Sequence, residues 1–266
     1  MNQKNFEYLR DQVKYTGFGE GLENDLKEKL SQEPPDFTLN HTAQYGNDFA
    51  DAELHFTRSK QSDMYFFNSY KLSLKKENVP DSMEQTFYIN KSNNITFKEA
   101  YNLMSGRAVN KDQTNKDNQL YNAWIQMDFK QADSNGDYKL KHYHQNYGFD
   151  LDKVLSKHPI KELGHEEQKS NLVDSLKKGN RQSVTFLRDG AEQKNYIEAN
   201  PQFKTITIYD SNMQRLGNRQ SKAEEQGEGE SRSVRQDNKK ENQGSDDDGS
   251  QIPSAAKKKR KSQSIS

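Results

Sequence analysis

The segment TFKEAYNLMSG (residues 96–106) predicts a short helix with a defined start and end. Thr96 is placed to cap the helix N-terminus, and Glu99 three residues later completes a capping-box pattern. Gly106 stands where a C-terminal glycine ends a helix. Three predicted strands follow, separated by the turn segments TNKDN and DSNG: RAVNK (107–111), QLYNAWIQMDFKQ (119–131) and DYKLKHYH (137–144).

The same order of elements precedes this segment. Leu22, Leu26 and Leu30 recur at helical spacing, and Pro34-Pro35 stops that helix. Alternating apolar residues then predict three strands: FTLNHTAQY (37–45), DFADAELHFTR (48–58) and DMYFFNSYKLSL (63–74).

The same order of elements, a helix and then three strands, also occurs after this segment. NLVDSLKK (171–178) predicts a helix that ends at Gly179, which lies 73 residues after Gly106. The strands predicted after it are RQSVTFLR (181–188), EQKNYIEA (192–199) and FKTITIYD (203–210). We therefore predict an α+β fold of three tandem α-β-β-β repeat units, each a short helix with a three-stranded antiparallel sheet.

The predicted boundaries follow these units. Residues 1–80 form the first unit with an N-terminal helix, 81–148 the second, and 149–216 a connector helix with the third. QTFYIN (85–90) predicts an extra strand before the second helix. Residues 217–266 lack aromatic residues and are rich in Gln, Gly, Ser and charge, which predicts a disordered tail ending in a basic cluster.

Composition excludes several classes of protein. No stretch approaches the roughly 18 apolar residues of a membrane-spanning helix, and the start of the chain has no apolar signal region. The chain has no Cys, so disulfides, thiolate nucleophiles and Cys-based metal sites are excluded. These observations predict a cytoplasmic protein. Net charge is zero, and the tail's 11 Lys/Arg and 9 Asp/Glu leave the body close to neutral.

Catalytic and metal motifs are weak. DSNGD (133–137) lacks the glycine and glutamate that a calcium loop needs at its sixth and twelfth positions, where Tyr138 and His144 stand. His142 and His144 share one side of a strand, and a third zinc ligand would have to come from His158 or His165. Half-buried strand histidines explain the pattern better. GFGEG (17–21) lacks the rest of a phosphate loop. We predict no catalytic residues, no metal and no cofactor.

Aromatic and basic strands are the remaining signal. Trp124 is predicted on the same strand face as polar residues, which is typical of a contact between units or with a partner. Lys139, Lys141 and Tyr143 combine a ring with charges, a set suited to nucleic acid. Two further sets are the rings of Tyr65, Phe66, Phe67 and Tyr70, and the cations Arg107, Lys111 and Arg181. Solvated strands with packing between units are the competing explanation.

The tail ends in AAKKKRKS, which places five cations together at Lys257, Lys258, Lys259, Arg260 and Lys261. The run is similar to a short nuclear localisation signal, and in a bacterium it would act as a polybasic arm. Such an arm gives weak, salt-sensitive attraction to nucleic acid without choosing a sequence.

Several segments resemble an uncharacterised protein family of Bacteroidota, found on chromosomes and conjugative elements. They are GEGLENDLKEKL (19–30), QSDMYFFNSYKLSLKKEN (61–78), FKEAYNLMSGRAVNK (97–111), HQNYGFDLDKVLSKHPIKEL (144–163), LKKGNRQSVTF (176–186) and IEANPQFKTITIYDSNMQRL (197–216). Related repeats lie beside topoisomerase-like modules in larger proteins. The resemblance covers most of residues 1–216 and implies a cytoplasmic bacterial protein tied to mobile DNA. It supplies no catalytic residues.

Together these observations predict a non-enzymatic accessory protein that uses its repeated units as an interaction surface. The expected partner is nucleic acid or a DNA-processing protein, with Trp124, Lys139, Lys141, Tyr143 and Lys257–Lys261 as the binding residues. One alternative is a protein–protein scaffold whose edge strands extend a partner's sheet. A less favoured one is a hydrolase with an unfamiliar site.

Overall fold

The computed structural model describes residues 2–77, 79–90 and 93–217. The helices within the described residues are α1 (Gln3–Val13), α2 (Glu23–Gln32), α3 (Phe97–Met104), α4 (Leu151–Leu155) and α5 (Glu166–Lys177). The strands are β1 (Asp36–Tyr45), β2 (Asp48–Arg58), β3 (Tyr65–Lys75), β4 (Met83–Tyr88), β5 (Val109–Thr114), β6 (Leu120–Ala132), β7 (Tyr138–His144), β8 (Gln182–Arg188), β9 (Ala191–Asn200) and β10 (Thr205–Tyr209). The predicted α+β class is confirmed.

The described strands form three antiparallel sheets in which neighbours in sequence are neighbours in space. Sheet A has the order β1-β2-β3-β4, sheet B the order β5-β6-β7, and sheet C the order β10-β9-β8. The extra strand predicted at 85–90 is β4, which pairs with β3 from Ser69 opposite Tyr88 to Leu74 opposite Met83. Short turns suffice for these connections, because antiparallel strands need no crossover.

Helix α3 begins with the capping box that the sequence predicts. The Glu99 backbone N–H donates to Oγ1 of Thr96 over 3.4 Å, and the Thr96 N–H donates to Oε2 of Glu99 over 2.8 Å. The helix ends before Gly106, whose φ of +82° is a left-handed conformation that glycine adopts without strain. Both predicted ends of this helix are therefore confirmed.

The first core lies under sheet A and is shared with sheet B. It contains the inner residues of β1, β2 and β3, such as Ala52, Leu54 and Phe56, together with apolar residues of α1 and α2. Helix α3 contributes to this core on several sides, and Ile125 and Met127 of sheet B join it from the far side of the helix. A helix that is buried all round lies between two layers, so α3 separates sheet A from sheet B.

The second core lies between sheet B and sheet C. Leu172, Val173 and Leu176 of α5 pack there against Val184 and Phe186 of β8. Other members come from α4, from β9 and β10, and from the face of sheet B that points away from α3. The middle sheet therefore has a core on each side, with helices between the sheets. Sheets A and B also bond directly, because the Tyr138 backbone N–H of β7 donates to Oε1 of Gln85 of β4 over 2.8 Å.

The N-terminal helix expected in residues 1–80 was predicted without bounds, and α1 is a helix at that end of the chain. The π-helical turn that follows it, Lys14–Phe18, was not predicted. Within that turn Gly17 has a φ of +99°, which lets the chain bend back toward α2. The bend buries the Phe18 ring, whose centre lies 5.2 Å from that of Phe97 in α3. Two helices, α1 and α2, therefore precede sheet A. Sheet B directly follows α3, and sheet C directly follows α5.

Of the predicted disordered tail at 217–266, residues 218–266, which include the basic cluster at 257–261, lie outside the described residues. Among the helices of the described part, none is long and apolar enough to cross a membrane.

Candidate nucleic-acid interface

Strand β7 forms one edge of sheet B within the described residues, because it pairs with β6 alone. Alternation along the strand places Lys139, Lys141 and Tyr143 on the same face. Their partners across the ladder are, in that order, Asp128, Gln126 and Trp124. The register thus brings together the four body residues that the sequence singled out for binding.

Trp124 shares this face but is not available to a ligand. Its side chain is only 6% exposed and belongs to the second core. The indole ring meets Phe149 edge to face, with 5.3 Å between ring centres. The predicted binding role of Trp124 is therefore corrected: the ring packs between parts of the chain, because residues 149–155 cover a face that looks polar in the sequence of β6.

The two lysines remain on the surface and differ in their partners. Nζ of Lys141 lies 2.9 Å from Oδ2 of the largely buried Asp128. Hydrogen bonding by Lys141 lowers the pKa of Asp128, and the same bond raises the pKa of Lys141. Lys141 therefore stays charged at neutral pH in a fixed position. Lys139 is exposed and forms no ion pair with any residue that the structure describes.

Two short turns add further rings and a third cation beside β7. The Tyr143 ring centre lies 4.9 Å from that of Tyr147, which follows β7 in a 3₁₀ turn. The Tyr147 hydroxyl donates to the carbonyl of Gln202 over 2.8 Å, which ties this turn to the one before β10. In that second turn Phe203 is 65% exposed, and Nζ of Lys204 lies 4.7 Å from the Tyr147 ring centre.

We call this region the β7 surface and define it by six residues: Lys139, Lys141, Tyr143, Tyr147, Phe203 and Lys204. It presents exposed ring area next to three ammonium groups. Aromatic rings stack on unpaired bases, and lysines contact the phosphates between them. Its chemistry therefore suits a single strand of nucleic acid.

The aromatic residues of β3 are not part of the β7 surface. Tyr65, Phe67 and Tyr70 are buried in the first core, and only Phe66 of that set is exposed. Phe66 lines a cleft of about 590 Å³ beside Tyr8 of α1. Among the residues that the structure describes, no lysine or arginine lines this cleft, so its described lining lacks the charges that phosphate binding requires.

The basic set Arg107, Lys111 and Arg181 is divided. Nζ of Lys111 lies 2.6 Å from Oε2 of Glu99, and both side chains are largely buried. Lys111 therefore serves α3 and sheet B rather than a ligand. Arg107 and Arg181 lie elsewhere, at the ends of α3 and α5.

The histidines of sheet B do not gather a metal site. The rings of His142 and His144 lie 6.3 Å apart, while His158 packs against Phe186 in the second core region. Both His142 and His144 are exposed on β7, so the half-buried strand histidines that the sequence predicts are not found. In the part of the chain that the structure describes, no three His, Asp or Glu side chains converge in a way that holds a metal ion.

Comparison with known proteins adds no family to this picture. No protein-family model, no curated protein and no solved structure matches the chain.

Proposed function

We propose that the protein is a non-catalytic accessory protein that binds single-stranded nucleic acid through the β7 surface. The observation that carries the proposal is the exposed ring of Phe203, which lies in the turn that the Tyr147 hydroxyl bonds and directly precedes Lys204. Stacking a base on an exposed aromatic ring contributes about 1–3 kcal/mol and depends little on sequence. A duplex, whose bases are already stacked, gains only the phosphate contacts.

Salt dependence follows from the number of cations. Lys139, Lys141 and Lys204 contact about three phosphates if each neutralises one. On a single strand each such contact changes the slope of log K against log salt by about −0.7, so we expect a slope of about −2. The near-neutral body fits this modest value, and the basic run Lys257–Lys261 adds to the slope if it also binds.

Fluorescence anisotropy with single- and double-stranded DNA and RNA tests the proposal. We expect Phe203→Ala to weaken binding to a single strand about tenfold, the loss of roughly 1.4 kcal/mol of stacking. The matched control is Tyr15→Ala, which removes a 75% exposed ring from another part of the surface and is expected to change nothing. Equal affinities for the parent and Phe203→Ala contradict the proposed surface.

The lysines are tested by their effect on the salt slope. Lys139→Gln combined with Lys141→Gln is expected to reduce the magnitude of the slope by about 1.4, since two contacts of about 0.7 each are lost, while Lys60→Gln, in the loop after β2, is expected to leave it nearly unchanged. Changing all five basic residues at 257–261 to Gln in the full chain separates the tail's contribution. Binding that disappears only in this last variant assigns recognition to the tail.

A protein–protein scaffold is the second candidate function. The observation that favours it is β1, a ten-residue strand that pairs with β2 alone among the described strands and so leaves one edge open. Such an edge can accept a partner strand. A partner that remains bound after nuclease treatment of the lysate, with no nucleic-acid binding by the purified protein, favours the scaffold.

We also propose that the three sheets derive from one α-β-β-β unit. Two observations support this proposal: each of the last two sheets follows a helix that ends at a positive-φ glycine, and an arginine follows within two residues. The arginines are Arg107 and Arg181. The resemblance to the Bacteroidota family likewise remains a proposal, and it is the basis for the proposed link to mobile DNA and for the cytoplasmic location.

A further inference from the structure

A second group of cations lies where sheet A meets the ends of α3 and α5. We call it the junction cluster and define it as Lys76, Lys98, Arg107 and Arg181. We propose that the junction cluster binds a phosphate-bearing anion. The proposal is independent of the β7 surface, since the two sets share no residue and each has its own contacts.

Stacked tyrosines position two of the cations. The rings of Tyr45, at the end of β1, and Tyr101, in α3, are stacked with 4.3 Å between their centres. Nζ of Lys98 lies 3.6 Å from the first ring centre and 4.5 Å from the second. The guanidinium carbon of Arg107 lies 5.0 Å from the Tyr101 ring centre. Cation–π contacts of this kind orient both charges without neutralising them.

The two arginines are held by the protein at the ends of helices. Nε of Arg107 donates to the carbonyl of Gly179 over 3.0 Å, and its Nη2 donates to Oδ1 of Asn102 over 2.6 Å. An arginine has five N–H donors, so these bonds use only part of the guanidinium. Arg181 is fixed by Glu198, whose Oε1 lies 2.6 Å from its Nε.

The nearby carboxylates are already engaged. Oδ2 of Asp48 accepts from the Tyr101 hydroxyl over 3.0 Å, and its Oδ1 accepts from the Glu77 backbone N–H over 3.1 Å. The Glu77 side chain accepts from Asn47 over 2.8 Å. Among the described residues, neither Lys76 nor Lys98 forms an ion pair.

The charges of the cluster act on one another. Burial, and next the charge of Arg107, lowers the pKa of Lys98 to about 8. Burial also lowers the pKa of Lys76, with the charges of Arg107 and Arg181 acting in the same direction and Asp48 against it. Half-buried like charges without a counter-ion disfavour their own charged forms. A bound anion removes this repulsion, which is a physical reason for the site to be selective for multiply charged ligands.

Phosphate is the anion that suits this donor set best. The planar fork of Arg107 can contact two oxygens of one phosphoryl group, and the ammonium groups of Lys76 and Lys98 supply mobile point charges. The stacked faces of Tyr45 and Tyr101 already cover each other, so the geometry favours the phosphate part of a ligand over an attached ring. Free polyphosphate and the phosphate of a nucleotide share this chemistry.

Calorimetric titration of the full-length protein with pyrophosphate at pH 7 tests the site, and ADP titrated in parallel separates the two sources. We expect Lys76→Gln combined with Lys98→Gln to weaken pyrophosphate binding at least tenfold. Lys98→Arg keeps the charge and is expected to bind within threefold of the parent, which separates a lost charge from a lost fold. Lys60→Gln, which changes an exposed lysine outside both proposed surfaces, is the matched control and is expected to leave pyrophosphate affinity unchanged.

Sulfate supplies an independent test, because its charge is constant between pH 6 and 10. We expect its affinity to fall about tenfold from pH 7 to pH 9 as Lys98 loses its proton, and to fall much less in Lys98→Arg. The groups facing Lys98 do not obscure this result: burial raises the pKa of Tyr45 and Tyr101, and Arg107 keeps its charge.

Three results would overturn the proposal. They are no pyrophosphate binding at millimolar concentration, equal binding by the parent and the folded Lys76→Gln, Lys98→Gln variant, and equal pH dependence in the parent and Lys98→Arg. If the junction proposal fails, the proposal for the β7 surface is not affected, because Phe203→Ala and the junction variants are measured with different ligands.

Discussion

Replacing Gly179 with alanine is expected to lower the free energy of unfolding by about 3 kcal/mol. Gly179 ends α5 with a φ of +79°. A Cβ atom there would lie 2.9 Å from the carbonyl oxygen of Ala108, 2.9 Å from Cγ2 of Val109 and 3.1 Å from Cβ of Asn102. The first of these atoms is backbone at the start of sheet B and cannot turn away. The expected loss in the free energy of unfolding therefore has two parts. One is the strain of an alanine in a left-handed conformation, and the other is the free energy needed to move α5 away from sheet B.

Urea unfolding monitored by circular dichroism measures this loss. Gly190→Ala is the matched control, because Gly190 has a φ of +76° and a methyl group added there would have no atom within 4 Å. The control should lose only the conformational part, about 1 kcal/mol. Equal losses in the two variants would mean that the close approach of α5 to sheet B is not what makes Gly179 necessary.

Trp124→Ala is the second large effect, an expected loss of about 3–4 kcal/mol in the free energy of unfolding. The indole is buried in the second core against Phe149, so its removal leaves a cavity between sheet B and the chain that covers it. Phe203→Ala is the opposite case, because an exposed ring contributes little to folding.

Trp124→Phe and Phe203→Ala are expected to have opposite effects on stability and binding, which separates a packing role from a binding role. We expect Trp124→Phe, which keeps most of the ring volume, to bind single-stranded DNA like the parent while unfolding at lower urea. Phe203→Ala should unfold like the parent and bind about tenfold more weakly. If Trp124→Phe folds normally but no longer binds single-stranded DNA, Trp124 takes part in binding the ligand.

Most elements of the fold could be predicted because each is determined by neighbours in sequence. Thr96 and Glu99 mark the start of α3 within four residues of chain, and Ala52, Leu54 and Phe56 mark the buried face of β2 by simple alternation. The bounds of α1 were not predicted, because its buried positions include the polar Asn5 and the segment is otherwise largely polar. The Asn5 side chain bonds to the backbone of Tyr65, a partner 60 residues away.

The two surfaces proposed to bind ligands were harder to predict because they combine distant segments. Lys139, Lys141 and Tyr143 lie on one strand, and the strand period alone places them together. Tyr147 and Gln202 meet across 55 residues, through a hydroxyl-to-carbonyl bond that no local pattern indicates. The burial of Trp124 was not predicted for the same reason. The sequence of β6 indicates how polar each face of that strand is, but not which segment of the chain covers a face. The junction cluster likewise draws Lys76, Lys98, Arg107 and Arg181 from four separate places.

The position of α3 between two sheets has a consequence for amide hydrogen exchange. An amide at the surface exchanges through small local openings, whereas one enclosed on every side exchanges only when its surroundings separate. Exposing the α3 backbone at Leu103 or Met104 requires sheet A to part from sheet B, so we expect these amides to exchange at the rate of global unfolding. Exchange measured by NMR checks this expectation, and faster exchange in α3 than in the edge strand β1 would contradict it. The most slowly exchanging hydrogens of this strand-rich protein should then belong to an eight-residue helix.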